Sequence, residues 1–121
     1  MVTVVDSSVW IDAFRGGVSA ARLARLVESD AALLHRAVAG EVALGLLGPR
    51  RAPLLAELGR LPTVESVPDE EIMELIEMRS LAGRGIGWVD AHLLGSALAA
   101  GASLWTLDRR LAAIAGSLGL R

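Results

Sequence analysis

The chain opens with the stretch that narrows its fold most: Val2-Thr-Val-Val5, then Asp6, then Ser7-Ser8. β-Branched residues fill the first four positions without polar alternation, which predicts a short strand buried on both faces. Strands of that kind belong to parallel sheets with helices packed above and below. An acid ends this strand, and two hydroxyl residues then offer an N-cap for a helix. Open parallel sheets take their ligands outside the carboxyl ends of their strands, so Asp6 stands where a ligand would be met. An Asp at a strand end also serves simply to start a turn. Acids further along the chain decide between the two readings.

Extended and helical signals alternate from there on. A short helix over 8–14 stops at Gly16-Gly17. Ser19 caps a second helix, with Leu23, Leu26 and Val27 on one face. The run 31–34 reads as a second strand, and 37–47 as a helix closed by Gly48-Pro49. A helix over 53–61 follows, then a weak strand over 63–67 whose alternating exposure suits a sheet edge. Pro68-Asp69-Glu70-Glu71 opens the clearest helix, with Asp69 as its cap and Ile72, Leu75 and Ile76 as its buried stripe. Gly83-Arg-Gly-Ile-Gly87 is a connector. A helix over 89–100 ends at Gly101, a strand over 102–107 ends at Asp108, and a helix over 109–115 precedes a marginal last strand. No hairpin signal, repeat or linker interrupts the alternation. The expectation is one α/β domain over residues 1–121, a three-layer α/β/α sandwich around a parallel sheet of four to five strands.

Composition excludes several classes of function. Hydrophobic residues make up 53% of the 121, enough for a real core, yet no run approaches the roughly 18 apolar residues of a membrane span. No basic segment followed by an apolar one opens the chain, so the expected location is the cytoplasm. The absence of Cys rules out disulfides, thiolate metal sites and a Cys nucleophile. A formal net charge of −2 does not suit a generally basic nucleic-acid binder, so any polyanion must be held by a local patch or by metal ions. All 12 basic residues are Arg, which removes the P-loop lysine and Schiff-base chemistry.

Three more acids are oddly placed for structural work. Glu41 is the only charged residue in Ala37–Leu47, where an unpaired carboxylate amid apolar residues is costly. Asp90 sits among Ile86, Trp88, Val89, Leu93 and Leu94. Asp108 repeats the setting of Asp6, an acid at the carboxyl end of a buried strand. Each has a structural alternative: an exposed helix edge for Glu41, a dipole partner for Asp90 and a helix cap for Asp108. Taken together, two strand ends and two helix starts share one rim of a doubly wound sheet. Four acids there repel one another, and a divalent cation relieves that repulsion. All-oxygen ligands suit Mg2+ or Mn2+ rather than zinc. His35 and His92 add nothing to such a site by spacing. Carboxylate-bound Mg2+ acts on phosphates, so the expected chemistry is hydrolysis of a phosphodiester bond, with a free carboxylate accepting the proton of water.

At this point the stretches Val5–Asp12, Gly40-Glu41, Gly85–Leu94 and Leu104–Leu111 resemble PIN-domain ribonucleases, and more narrowly the VapC toxins of bacterial toxin–antitoxin pairs. The resemblance covers nearly the whole chain. It implies a parallel sheet of order 3-2-1-4-5, Mg2+- or Mn2+-dependent cleavage of RNA of the tRNA or ribosomal class, and Asp6, Glu41, Asp90 and Asp108 as catalytic and metal-holding acids. It implies that Ser8 helps to position the site. It also implies a homodimer silenced by a VapB-type antitoxin, the two forming a hetero-oligomer. Some positions depart from the pattern. Ser7 stands where Thr is commoner, and no further acid follows Asp108. Leu107 stands where a basic residue is frequent, which passes the substrate contact to Arg109 or Arg110. The short C-terminus implies a reduced final strand.

Arg36, Arg50, Arg51 and Arg84 are further candidates for RNA contacts, and Trp10, Trp88 and Trp105 are expected in the core. Leu54, Leu55, Leu58 and Leu61, with Leu23 and Leu26, read as core or as a partner surface. Two alternatives stand beside the ribonuclease: another metal-dependent phosphohydrolase, and a non-catalytic binding module on the same fold. Ser8 occupies the place where Asp-nucleophile phosphatases carry a second acid, which weighs against the first. The presence of all four acids weighs against the second.

Overall fold

The computed structural model describes residues 1–121 and puts β1 (Thr3–Val5) at the centre of a parallel sheet. It lies between β2 (Ala32–Leu33) and β3 (Ser103–Trp105). Val4 faces Leu33 on one side and Leu104 on the other. Val4 and Val5 are fully buried, as the unbroken β-branched run requires. Seven helices flank the sheet: α1 (Ser7–Phe14), α2 (Ala20–Glu28), α3 (Arg36–Ala43), α4 (Arg51–Leu58), α5 (Asp69–Met78), α6 (Trp88–Ala100) and α7 (Arg109–Ser117). This is the three-layer α/β/α arrangement expected.

The sheet is narrower than expected, with three strands rather than four or five. The outer two positions survive only as an isolated bridge on one side and one hydrogen bond on the other. Thr63 bridges Leu34 beyond β2, and on the far side the Leu104 N–H donates to the Leu120 carbonyl at 2.6 Å. The spatial succession is still 3-2-1-4-5. The stretch 63–67 lies between Pro62 and Pro68, which donate no backbone hydrogen bond, so its ladder cannot lengthen. At the other edge the chain turns at Gly119 with φ +77°.

Several element ends also differ from expectation. α3 stops at Ala43 rather than running to residue 47, and a 3-10 turn at Gly48–Arg50 leads into α4. Leu44 and Leu46, 89% and 91% exposed, have no core to pack against there. Arg51, expected as an RNA contact, instead bonds the Ala43 and Gly45 carbonyls at the end of α3, where a cation satisfies orphan acceptors. Pro68, not Asp69, holds the cap position of α5. The serines do not cap α1; Asp6 holds that position, with its side chain turned away from the backbone. The cap of α3 is His35, whose Nδ1 accepts from the Ala37 N–H at 3.0 Å.

The core gathers Val4, Val5, Val9, Val38, Val42, Leu93, Leu94, Leu104, Leu111 and Ile114 between the layers. Leu23, Leu54 and Leu58 are buried, while Leu26, Leu55 and Leu61 pack partly against the core. α5 approaches α6 closely at Gly95, where any Cβ would collide with the buried Ile72 side chain. Of the three tryptophans expected in the core, Trp10 is buried and Trp105 half-buried, but Trp88 is 45% exposed.

Candidate active site

β1 and β3 run parallel and adjacent, so the residues just past their carboxyl ends meet. Asp6 follows β1 and is 5% exposed. Its Oδ2 accepts from Ser8 Oγ at 2.7 Å and from Thr106 Oγ1 at 2.8 Å. Thr106 is buried and lies on the same side of its strand end as Leu104, as two-residue periodicity requires. Its hydroxyl also accepts from the Asp108 N–H at 3.1 Å, and Ser8 Oγ accepts from the Leu107 N–H at 3.1 Å. Two hydroxyls therefore each donate to Asp6 and each accept from the backbone that leads to Asp108. Buried polar atoms satisfied in this way fix the carboxylate in one orientation.

Asp108 caps α7, its Oδ1 accepting from the N–H groups of Arg110 and Leu111 at 2.9 and 3.0 Å. The structural alternative for this residue is therefore real, yet it uses one oxygen and leaves Oδ2 without a protein partner. Asp90 is similar: its Oδ2 accepts from the Gly87 N–H at 2.9 Å at the start of α6, and Oδ1 is free. Glu41 lies in the second turn of α3 rather than at its start. Ser7 Oγ donates to Glu41 Oε1 at 3.1 Å and lies 3.5 Å from Asp6 Oδ1, linking the starts of two layers.

The four acids feel one another. Partial burial pushes the Glu41 carboxyl above its ordinary range; the Ser7 hydrogen bond opposes this, and the charges of Asp6 and Asp90 add to it. Burial likewise raises Asp90, opposed by the Gly87 N–H and reinforced by Asp6 and Asp108. No arginine offsets this charge, because no arginine in the structure forms an ion pair with a carboxylate. Even so, no three acidic or histidine side chains converge closely enough to grip an ion. Each carboxylate is held by its own hydrogen bonds, with a free oxygen left over on Asp90, Asp108 and Glu41. The donor set is all oxygen and its charge is uncompensated, which fits a hard divalent cation.

Arg109 and Arg110 are exposed in the first turn of α7, beside Asp108. The positive end of a helix gives a cation no reason to be there. The Arg110 side chain lies across Gly85, whose φ of +81° suits glycine and whose missing Cβ makes the room.

Sequence reasoning missed two contributors. Thr106 carried a signal, a hydroxyl residue two positions before an acid at the end of a buried strand. Ser7 carried none beyond adjacency to Asp6, because its bond to Glu41 spans 34 residues.

Residues 3–117 match the model of the PIN domain family. The chain is 44% identical over 120 residues to Ribonuclease VapC32 of Mycobacterium tuberculosis strain CDC 1551 / Oshkosh, covering 97% of this chain and 93% of that protein. Ribonuclease VapC32 of strain ATCC 25618 / H37Rv matches with the same figures. Among solved structures, PAE2754 from Pyrobaculum aerophilum superposes with a TM-score of 0.69 at 19% identity, over 93% of this chain and 84% of that one.

Proposed function

This chain belongs to the PIN-domain family, and from that premise we infer that it is a VapC-type endoribonuclease, the toxin of a type II toxin–antitoxin pair. Residues 1–121 act as one domain, and the reaction is hydrolysis of an RNA phosphodiester bond. The observation that carries this reading is the Asp6 carboxylate: buried, oriented by two hydroxyls, and within reach of other acids that no arginine neutralises.

Asp6, Glu41, Asp90 and Asp108 would hold Mg2+ or Mn2+, which when bound supplies charge neutralisation and activation of water. Ser8 and Thr106 keep Asp6 aimed at the rim. A carboxylate oxygen of this set that is not committed to the ion is suited to accept a proton from the attacking water. Arg109 and Arg110 hold phosphates on either side of the scissile bond. The substrate is of the tRNA or ribosomal class, which puts the protein in the cytoplasm. The regulator is a VapB-type antitoxin, bound by a homodimer, and exposed Leu44 and Leu46 supply apolar surface for such assembly.

The direct test is purified protein incubated with an RNA pool, with and without chelator, followed by sequencing of the cut ends. Cleavage should depend on added Mg2+ or Mn2+, and Asp6→Asn or Asp90→Asn should abolish it while circular dichroism stays native. Wild-type rates from either variant would overturn the site assignment.

A further inference from the structure

A cleft of about 390 Å³ opens between the start of α3, the connector ahead of α5 and the first turn of α6. That volume accommodates a single nucleotide. Its walls include His35, Arg36, Asp69, Trp88 and His92. Trp88 and His92 are four residues apart on α6 and so share the face that borders the cleft. Asp90, between them, points to the other side, toward the acids at the sheet rim. The cleft and the carboxylates thus lie on opposite flanks of one helical turn.

Three features of the cleft are unexplained by packing. Trp88 is 45% exposed, although its ring is fixed edge-on against His92 at 4.6 Å and 84°. His92 is held in turn by Asp69 at 3.1 Å, so the pair is braced rather than mobile. His35 is 2% exposed, and because its Nδ1 accepts from Ala37, the neutral ring carries its proton on Nε2. That Nε2–H is a buried donor with no partner, which is costly and rare. Arg36 adds a positive charge at the mouth and has no carboxylate partner.

We propose that this cleft holds one unpaired base of the RNA substrate, from a nucleotide separated from the acids by the first turn of α6. The base stacks on the exposed Trp88 and leaves its phosphate to Arg36, and a side-chain adjustment in the wall where the His35 and His92 rings lie 6.1 Å apart opens the sealed His35 Nε2–H to a carbonyl or ring-nitrogen acceptor. Aromatic stacking with acceptor recognition is the means by which proteins read single-stranded RNA. The proposal deepens the ribonuclease reading and rests on it for the name of the substrate, yet binding can be tested apart from cleavage.

The experiment uses the inactive Asp6→Asn chain, a short single-stranded RNA and the four nucleoside 5′-monophosphates, all in the presence of chelator. Nucleotides carrying the preferred base should quench tryptophan fluorescence and shift the NMR signals of His35 and His92. Adding Trp88→Ala should weaken RNA binding on the order of tenfold or more. His35→Asn retains a capping acceptor for α3 but loses the Nε2 donor, so it should flatten the preference among the four nucleotides while the fold persists. In the active chain, Trp88→Ala should redistribute the cut sites. Unchanged affinity, unchanged nucleotide preference and unchanged cut sites in these variants would overturn the proposal. Selective nucleotide binding in a chain that cuts no RNA would uphold the cleft and refute the ribonuclease.

Discussion

Thr106 Oγ1 donates to Asp6 Oδ2 at 2.8 Å, joining the ends of two adjacent strands 100 residues apart in the chain. The same hydroxyl accepts from the Asp108 N–H, so one side chain orients two of the candidate catalytic acids. Thr106→Val keeps the shape and removes both bonds. It should cost about 1–3 kcal/mol, because it weakens the solvation of a buried carboxylate and orphans a backbone donor. Urea denaturation measures that loss. Cleavage should fall with it, and Thr106→Ser should restore most of both. A Val variant with native stability and rate would show that Ser8 alone is enough to hold Asp6.

A divalent cation that binds only the folded chain raises its stability by about 2.7 kcal/mol at a concentration 100 times its dissociation constant. Mn2+ or Mg2+ should therefore raise the melting temperature by several degrees. The effect should shrink in acid, because a protonated Glu41 or Asp90 cannot serve as a ligand. Asp90→Asn should lessen the shift. No shift in the wild-type chain at millimolar metal would remove the cation from the site.

Without metal, two opposing pH dependences should overlap in the weakly acidic range. Glu41 and Asp90 are raised, so above their ordinary carboxylate values the folded chain holds more protons than the unfolded one. Stability from these groups then declines as pH rises until their folded values are passed. His35 is lowered by burial first, then by His92 and Arg36. It favours the folded chain above its ordinary 6.5 and loses that contribution as pH falls through 6.5 toward its folded value. Chelated protein titrated by chemical denaturation, with Glu41→Gln and His35→Asn beside the wild type, should separate the two contributions. Glu41→Gln should flatten the decline on the rising side, and an unaltered profile would contradict the coupling of the acids.

What the sequence disclosed, and what it hid, follows from how far each interaction reaches along the chain. β1 and Asp6 were legible because a β-branched run and its terminating acid are neighbours. Likewise Glu41, Asp90 and Asp108 stood out as charges in apolar company. The end of α3 was misjudged because apolar Leu44 and Leu46 continue its composition, and only the third dimension reveals that nothing lies beneath them. Asp69 as a cap was a sound local reading overridden by a partner, His92, on another helix. His35 looked isolated because its capping role depends on one backbone angle, ψ 137°, rather than on a residue pattern. The short edge strand over 63–67 is half legible, because Pro62 and Pro68 flank it and donate no ladder hydrogen bond.

The contact between Arg110 and Gly85 carries the last prediction. Gly85 has a φ of +81°, and a Cβ there would sit 2.6 Å from both Cδ and Nη1 of Arg110. Gly85→Ala must therefore do two things. It strains the backbone, which costs about 1–2 kcal/mol, and it drives the guanidinium from its place over Gly85. If Arg110 grips a phosphate, Arg110→Ala should raise KM with little change in kcat and reduce the salt slope of RNA binding by about one phosphate contact. Gly85→Ala should then reproduce the same KM shift and salt slope on top of its stability loss. Adding Arg110→Ala to Gly85→Ala should bring no further loss of affinity, because the two changes remove one contact. Additive losses in that cycle would mean that Gly85 acts on the substrate by another route, and that the arginine is only a neighbour.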